Sequence, residues 1–173
     1  SGTEVLIRNV RARRANPGLA AQHMAAVRAV AALCDAQVDG LQVGSQALTF
    51  RPGLLHGGRF QFDVGTAGSL TLVLQAVLPA AAACGESVHL LLTGGTDVKA
   101  APPLDYLCHV LLALLARMGL QTRVTVIKRG YYPRGGGEIE AEILPVTALH
   151  PLVLDTRGTL EAIRGIAHIA NLS

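Results

Sequence analysis

The sequence predicts an α+β fold with helices packed on mixed sheets, and three observations predict it. Apolar residues alternate at period two in several short runs and recur at helical spacing in three longer ones. The runs follow the order β-α-β-β, then β-α-β-α-β-β, then β-β, so strands come in pairs at the end of each unit. Half of the 173 residues are hydrophobic and 16% are charged, which is enough to bury a core and too apolar for a disordered chain.

Each element has its own reason. Residues 4–10 alternate as a strand, and Pro17–Gly18 then opens a helix carried by Leu19, Met24, Val27, Val30 and Leu33. Residues 37–43 and 47–51 read as two short strands joined at Gly44–Ser45. Phe60, Phe62 and Val64 alternate with Gln61 and Asp63, the pattern of a half-buried strand. A Gly-rich turn at 65–69 leads into an apolar helix over 70–83, and 88–92 is a buried strand. Pro102–Pro103 precedes a second apolar helix over 104–118, stopped by Gly119. Val124, Val126 and Lys128 mark a strand. Residues 137–143 alternate Glu138, Glu140 and Glu142 with Ile139, Ala141 and Ile143, so one face is acidic and wet. Residues 152–155 and 159–166 suggest two more strands. The order reads as one supersecondary unit used twice, the first copy incomplete. Its pieces are a partial βαββ unit over 1–58, a βαβαββ unit over 59–145, and strands beginning a further unit over 146–173.

Composition excludes several classes. No uninterrupted apolar stretch reaches the roughly 18–20 residues of a membrane span. No basic segment followed by an apolar one marks a signal peptide at the start. Cys34, Cys84 and Cys108 are far apart in apolar helical contexts and read as buried reduced thiols, which suits a cytoplasmic protein. The net charge is +3, and all of the cations but Lys99 and Lys128 are Arg. Base composition of a GC-rich genome accounts for such an excess, and so does phosphate recognition by bidentate guanidinium groups.

Four motifs carry candidate chemistry, each beside a plainer reading. Arg8, Arg11, Arg13 and Arg14 stand at a strand end before a helix start, an arrangement suited to phosphate or to a solvated loop. Gln22 and His23 follow. Asp63-Val-Gly-Thr-Ala-Gly-Ser69 is a strand, turn and helix start; it lacks the ending of a Walker loop and fits an anion nest or a tight structural turn. Thr93-Gly-Gly-Thr-Asp97 with Pro102-Pro-Leu-Asp-Tyr106 sits at a strand's carboxyl end, where ligands bind and where helices are also capped. Arg129-Gly-Tyr-Tyr-Pro-Arg-Gly-Gly-Gly-Glu-Ile139 holds three consecutive glycines, whose entropic cost implies a close backbone approach or a sharp hairpin. The other histidines, His56, His89, His109, His150 and His168, share no metal-ligand spacing, so no metal site and no catalytic residue is expected from the residues alone.

Taken together and in this order, the motifs resemble the RNA 3′-terminal phosphate cyclase family, over about residues 1 to 167. The stretch Arg129-Gly-x-x-Pro-x-Gly-Gly-Gly-x-Ile139 is the specific part. The segments at 11–23, 44–53, 65–75, 94–97 and 102–106 are similar to shorter family motifs. The resemblance implies a stack of βαβαββ units similar to the carboxy-terminal domain of translation initiation factor three. It also implies ATP and Mg²⁺ or another divalent cation, and an RNA with a 3′-phosphate end as substrate. The reaction adenylylates an enzyme histidine, passes AMP to the RNA 3′-phosphate as RNA–pp–A, and closes a 2′,3′-cyclic phosphate. Carried over residue by residue, Arg11, Arg14, Gln22 and His23 match the RNA phosphate patch, and Gln75 and Pro102 match the adenosine site. Arg8 and Arg13 match no family arginine and read as surface residues. The family's opening strand and helix, with a Gly-rich segment, and its nucleophilic histidine match nothing here. The chain is therefore expected to be part of a cyclase, inactive alone, with the nucleophile in a carboxy-terminal segment. A non-catalytic, cyclase-like RNA-binding protein of ribosome biogenesis is the alternative.

Overall fold

The structure, a computed structural model, describes residues 2–65 and 68–170. Two sheets organise these residues. The first holds β1 (Val5–Ile7), β2 (Gln37–Asp39) and β3 (Leu48–Arg51) in the order β1-β3-β2, with β3 antiparallel to both neighbours. The second holds β4 (Gly58–Asp63), β5 (Val88–Gly94), β6 (Thr122–Lys128) and β7 (Gly137–Ile143) in the order β4-β5-β7-β6. Only β4 and β5 run parallel; β7 is antiparallel to β5 and β6. The mixed sheet and its helices make the fold α+β, as expected.

Helix α1 (Ala21–Ala32) follows β1, and α2 (Leu70–Cys84) crosses from β4 to the parallel β5. A parallel pair needs such a crossover. Ser69 caps α2 by accepting from Leu72 N–H, and Gly85 ends it in the left-handed conformation that glycine takes without strain. The third helical stretch is α3 (Leu104–Tyr106), a π-helical turn (Leu107–Leu111) and α4 (Leu112–Arg117). The main core joins Leu70, Leu74, Val77 and Ala81 of α2 to Leu90, Leu92, Ile139 and Ile143 of the sheet. Helix α1 faces this core with Ala25 and Ala29, and faces the first sheet with Met24 and Val27. The opposite face of the second sheet is uncovered. Arg59, His89, Arg123, Glu140 and Glu142 line a recess of about 370 Å³ there, and Arg123 pairs with Glu142.

Two expectations need correction. The helix at Pro17–Gly18 begins only at Ala21, because Leu19 N–H bonds Ser45 O and Gly18 sits at φ +84°, outside helical space. No strand forms at 152–155 or 159–166; residues 144–170 carry no helix or strand. Alternation alone does not make a strand, whose N–H and C=O groups need a neighbouring edge. Leu154, Ile163 and Ile169 instead lie 61%, 88% and 73% exposed.

Candidate functional site

The Arg-rich segment turns sharply after β1. Asn9 and Arg11 take left-handed backbone conformations at φ +57° and +51°, and Gly18 N–H bonds Val10 O at 2.8 Å, closing the segment into a loop. Arg11 Nη1 donates to Gly18 O at 3.0 Å, so this side chain folds back over the loop, while Arg13 and Arg14 stay exposed. Gly18 lies so close to Gly44 that a Cβ would stand 2.1 Å from Gly44 O. That approach unites the 11–23 motif with the Gly44–Ser45 motif.

His23 is the third residue of α1, and its Nδ1 accepts the Ala20 N–H at 3.0 Å. An alanine cap offers no side-chain acceptor of its own, so the imidazole supplies only the reverse half of a capping box. Accepting that bond leaves Nδ1 without a proton, so in the neutral ring the proton sits on Nε2. Burial, and secondarily the Arg11 guanidinium, push His23 below its ordinary 6.5. His23 is thus a neutral hydrogen-bond donor beside a fixed cation. Gln22 is half-buried on the preceding position. Arg11 and His23 share one loop and helix start; Arg14 is on the same loop, its N–H bonded to Arg11 O at 2.9 Å and its guanidinium without a partner among the described hydrogen bonds.

The second group assembles around the start of α2. Thr66 and Ala67 of the Gly-rich turn lie outside the described residues. On either side of them, Gly65 N–H bonds Asp63 Oδ1, and Gly95 N–H bonds Gly68 O at 2.7 Å. Ser69 Oγ and Thr71 Oγ1 are 2.8 Å apart, and Thr71 donates to Pro102 O at 2.8 Å. Thr71 and Gln75 are four residues apart on one helix ridge, so this bond sets the Pro102 loop on the ridge that carries Gln75. Pro79 has no N–H, so the Gln75 carbonyl lacks its usual helical donor. The two residues expected at an adenosine site are therefore brought onto neighbouring elements. No described hydrogen bond joins them to the Arg11–His23 group.

The sequence reading missed a cluster that ties two motifs. Arg129 Nη1 donates to Asp97 Oδ2 at 3.1 Å and to Asp105 Oδ2 at 3.0 Å, and Nη2 donates to Asp105 Oδ1 at 2.6 Å. His168 Nε2 sits 2.7 Å from Asp105 Oδ2. The Arg129 bonds, opposed by burial and helped by His168, hold the Asp105 carboxyl below its ordinary 3.8. Thr96 Oγ1 accepts the Gly130 N–H at 3.0 Å, while Thr96 N–H bonds Gly130 O. An aspartate in the loop after β5 and another in the first turn of α3, facing an arginine just past β6, were the available signal. The glycine run explains itself here: Gly135 and Gly136 take φ +65° and +69°, and Gly137 and Gly130 approach so closely that a Cβ on Gly137 would stand 2.5 Å from Gly130 N.

Among the described residues, no group of three or more His, Cys, Asp or Glu could hold a metal ion. The divalent cation that the resemblance implies therefore finds no complete ligand set among them. No helix among them is long and apolar enough to cross a membrane.

Comparison with known proteins follows the same motifs. A family model described as RNA 3′-terminal phosphate cyclase matches residues 1–164. The protein of that name from Nitrosospira multiformis is 54% identical over 172 residues, 99% of this chain and 49% of that protein. The one from Methanopyrus kandleri is 47% identical, again over 99% of this chain and 49% of its own length. The one from Pyrococcus furiosus is 42% identical, covering 99% and 50%. The chain spans about half the length of these relatives.

Proposed function

Because the chain belongs to the RNA 3′-terminal phosphate cyclase family, we propose that it supplies the RNA-end patch and part of the nucleotide pocket of an ATP-dependent cyclase. The overall change converts ATP and an RNA 3′-phosphate into a 2′,3′-cyclic phosphate, AMP and pyrophosphate. The adenylyl group passes first to a histidine and then to the RNA 3′-phosphate, and the vicinal 2′-hydroxyl displaces AMP. On this reading the chain is a partial unit over 1–58 and a full unit over 59–145.

The observation that carries the reading is the pairing of Arg11 with a neutral His23 whose proton is held on Nε2. Arg11 and Arg14 offer charge to the RNA phosphate, and His23 offers an Nε2–H. Preorganised donors of this kind stabilise charge without reorganisation at the moment of reaction. The same bond that orients His23 removes its Nε2 lone pair from nucleophilic use, so His23 is not the adenylylated histidine, which the family resemblance implies lies outside this chain. Gln75 and Pro102 hold the adenosine, with the Gln75 carbonyl as a further acceptor. The cation's ligands are supplied in part from elsewhere, and no role for it is assigned to these residues.

The test uses the full-length protein with a 3′-phosphorylated oligoribonucleotide, ATP and Mg²⁺. Formation of the cyclic end supports the reading; RNA binding with no ATP consumption would favour the non-catalytic branch. In parallel, this chain with α-labelled ATP gives no stable protein–AMP adduct. An adduct on His23 would overturn the assignment.

A further inference from the structure

Arg129 opens the most specific motif of the chain, yet its fork faces carboxylates and not a substrate. The side chain is 22% exposed, and Asp97 and Asp105 are 15% and 22% exposed. Two carboxylates around one guanidinium repel a phosphate, so a direct phosphate contact is disfavoured.

Asp97 stands early in the loop that follows β5 and Asp105 in the first turn of α3, which ends that loop, and Pro102 lies between them. One guanidinium therefore closes this loop at both ends, from a strand end of the second sheet. The Asp97 end has backbone support as well, since its N–H bonds Gly130 O at 3.2 Å and Tyr132 N–H bonds its carbonyl at 3.3 Å. Among the described residues, the Asp105 side chain is held by Arg129 and His168 and by no backbone group. In the middle, Thr71 grips the Pro102 carbonyl. Ala100 sits in the left-handed region at φ +63°, a conformation that persists only where the surroundings hold it.

We propose that Arg129 is a positioning residue for the bound nucleotide: by bridging Asp97 and Asp105 it sets the height and tilt of Pro102 beside Gln75. The proposal rests on the reading of Gln75 and Pro102 as the adenosine site. The planar fork is what the role requires, because a lysine ammonium keeps the charge but cannot bond both carboxylates in this bidentate geometry.

The experiment compares full-length wild type with Arg129→Lys, the near-isosteric Asp105→Asn, and Thr71→Val, which releases the Pro102 carbonyl and the Ser69 hydroxyl and leaves the ion cluster in place. Equilibrium binding of ATP and of a 3′-phosphorylated oligoribonucleotide is measured separately. ATP affinity is expected to fall about tenfold or more, the scale on which a misplaced binding group acts, while RNA-end affinity changes by less than about twofold. In turnover, KM for ATP rises while kcat at saturating ATP is retained. Equal loss of both ligands marks Arg129 as general scaffold and overturns the proposal, as does unchanged ATP affinity in all three variants. If wild type itself binds no ATP, the adenosine-site reading falls first and takes this proposal with it.

Discussion

Strand β1, helix α1 and the pair β2 and β3 repeat the connectivity of β5, the helix from α3 to α4, β6 and β7. In each sheet the last strand lies between the other two, antiparallel to both. The second unit adds β4 parallel to β5, with α2 packed over the sheet. The difference shows in burial. Val88, Leu90 and Leu92 on β5 are 0%, 2% and 0% exposed, whereas Val5, Leu6 and Ile7 on β1 are 48%, 49% and 45% exposed. One more strand and one more helix separate a sealed core from an open one. On the proposed reading the open unit holds the RNA-end patch, and the sealed unit holds the nucleotide residues beside the ion cluster. Stability and RNA-end chemistry are therefore expected to respond to mutations in different halves.

The sharpest way to break this division is at Arg11. Arg11→Ala is expected to lower RNA-end cyclisation by the full-length protein about a hundredfold, as loss of one preorganised donor does. Its melting temperature should stay nearly unchanged. A comparable loss of stability would deny that the patch is separable from the fold. Next come two glycines that a side chain would drive into backbone. Gly130→Ala, buried against three backbone atoms within 2.7 Å, should cost more than about 3 kcal/mol in chemical denaturation. Gly18→Ala, whose Cβ would stand 2.1 Å from Gly44 O on a backbone at φ +84°, should cost about as much, more than about 3 kcal/mol.

Core truncation sharpens the contrast at a lower level. Leu74→Ala, at a fully buried position, is expected to destabilise by about 2–5 kcal/mol. Val5→Ala should stay within about 0.5 kcal/mol, as at other exposed positions. Similar values for the two would mean that β1 is covered. The smallest effect is in pH. His23 and Asp105 both bind protons less readily in the folded state, so both contributions are present at neutral pH and are lost on acidification. The His23 part fades as pH falls below 6.5, and the Asp105 part only below 3.8. Stability curves of His23→Gln and Asp105→Asn should therefore differ from wild type at neutral pH and approach it on acidification in different windows.

Much of the second unit was legible in the sequence. Strict alternation in β7, the apolar run of α2 and the Gly85 stop each depend on local periodicity or on one residue's backbone freedom. The start of α1 was not, because what delays it is a bond between Leu19 and Ser45, distant in sequence. The ion cluster was equally hidden. Asp97 and Asp105 belong to one motif, Arg129 to another and His168 to none, and nothing local in the sequence joins them until the topology does. At the RNA-end patch the residue types were legible, but the proton position on His23 was not, since it follows from one backbone N–H. The expected strands after residue 150 failed for the opposite reason: the local pattern is present and the partner edge is not.

That last segment has a practical consequence for anyone who produces this chain. Val153, Leu154, Leu160, Ile163, Ile166 and Ile169 present exposed branched and aliphatic side chains on a backbone without strand pairing. Such segments template edge-to-edge association between copies. Precipitation on concentration is the expected behaviour, and a charged residue at Ile163, the most exposed of them, is the expected remedy.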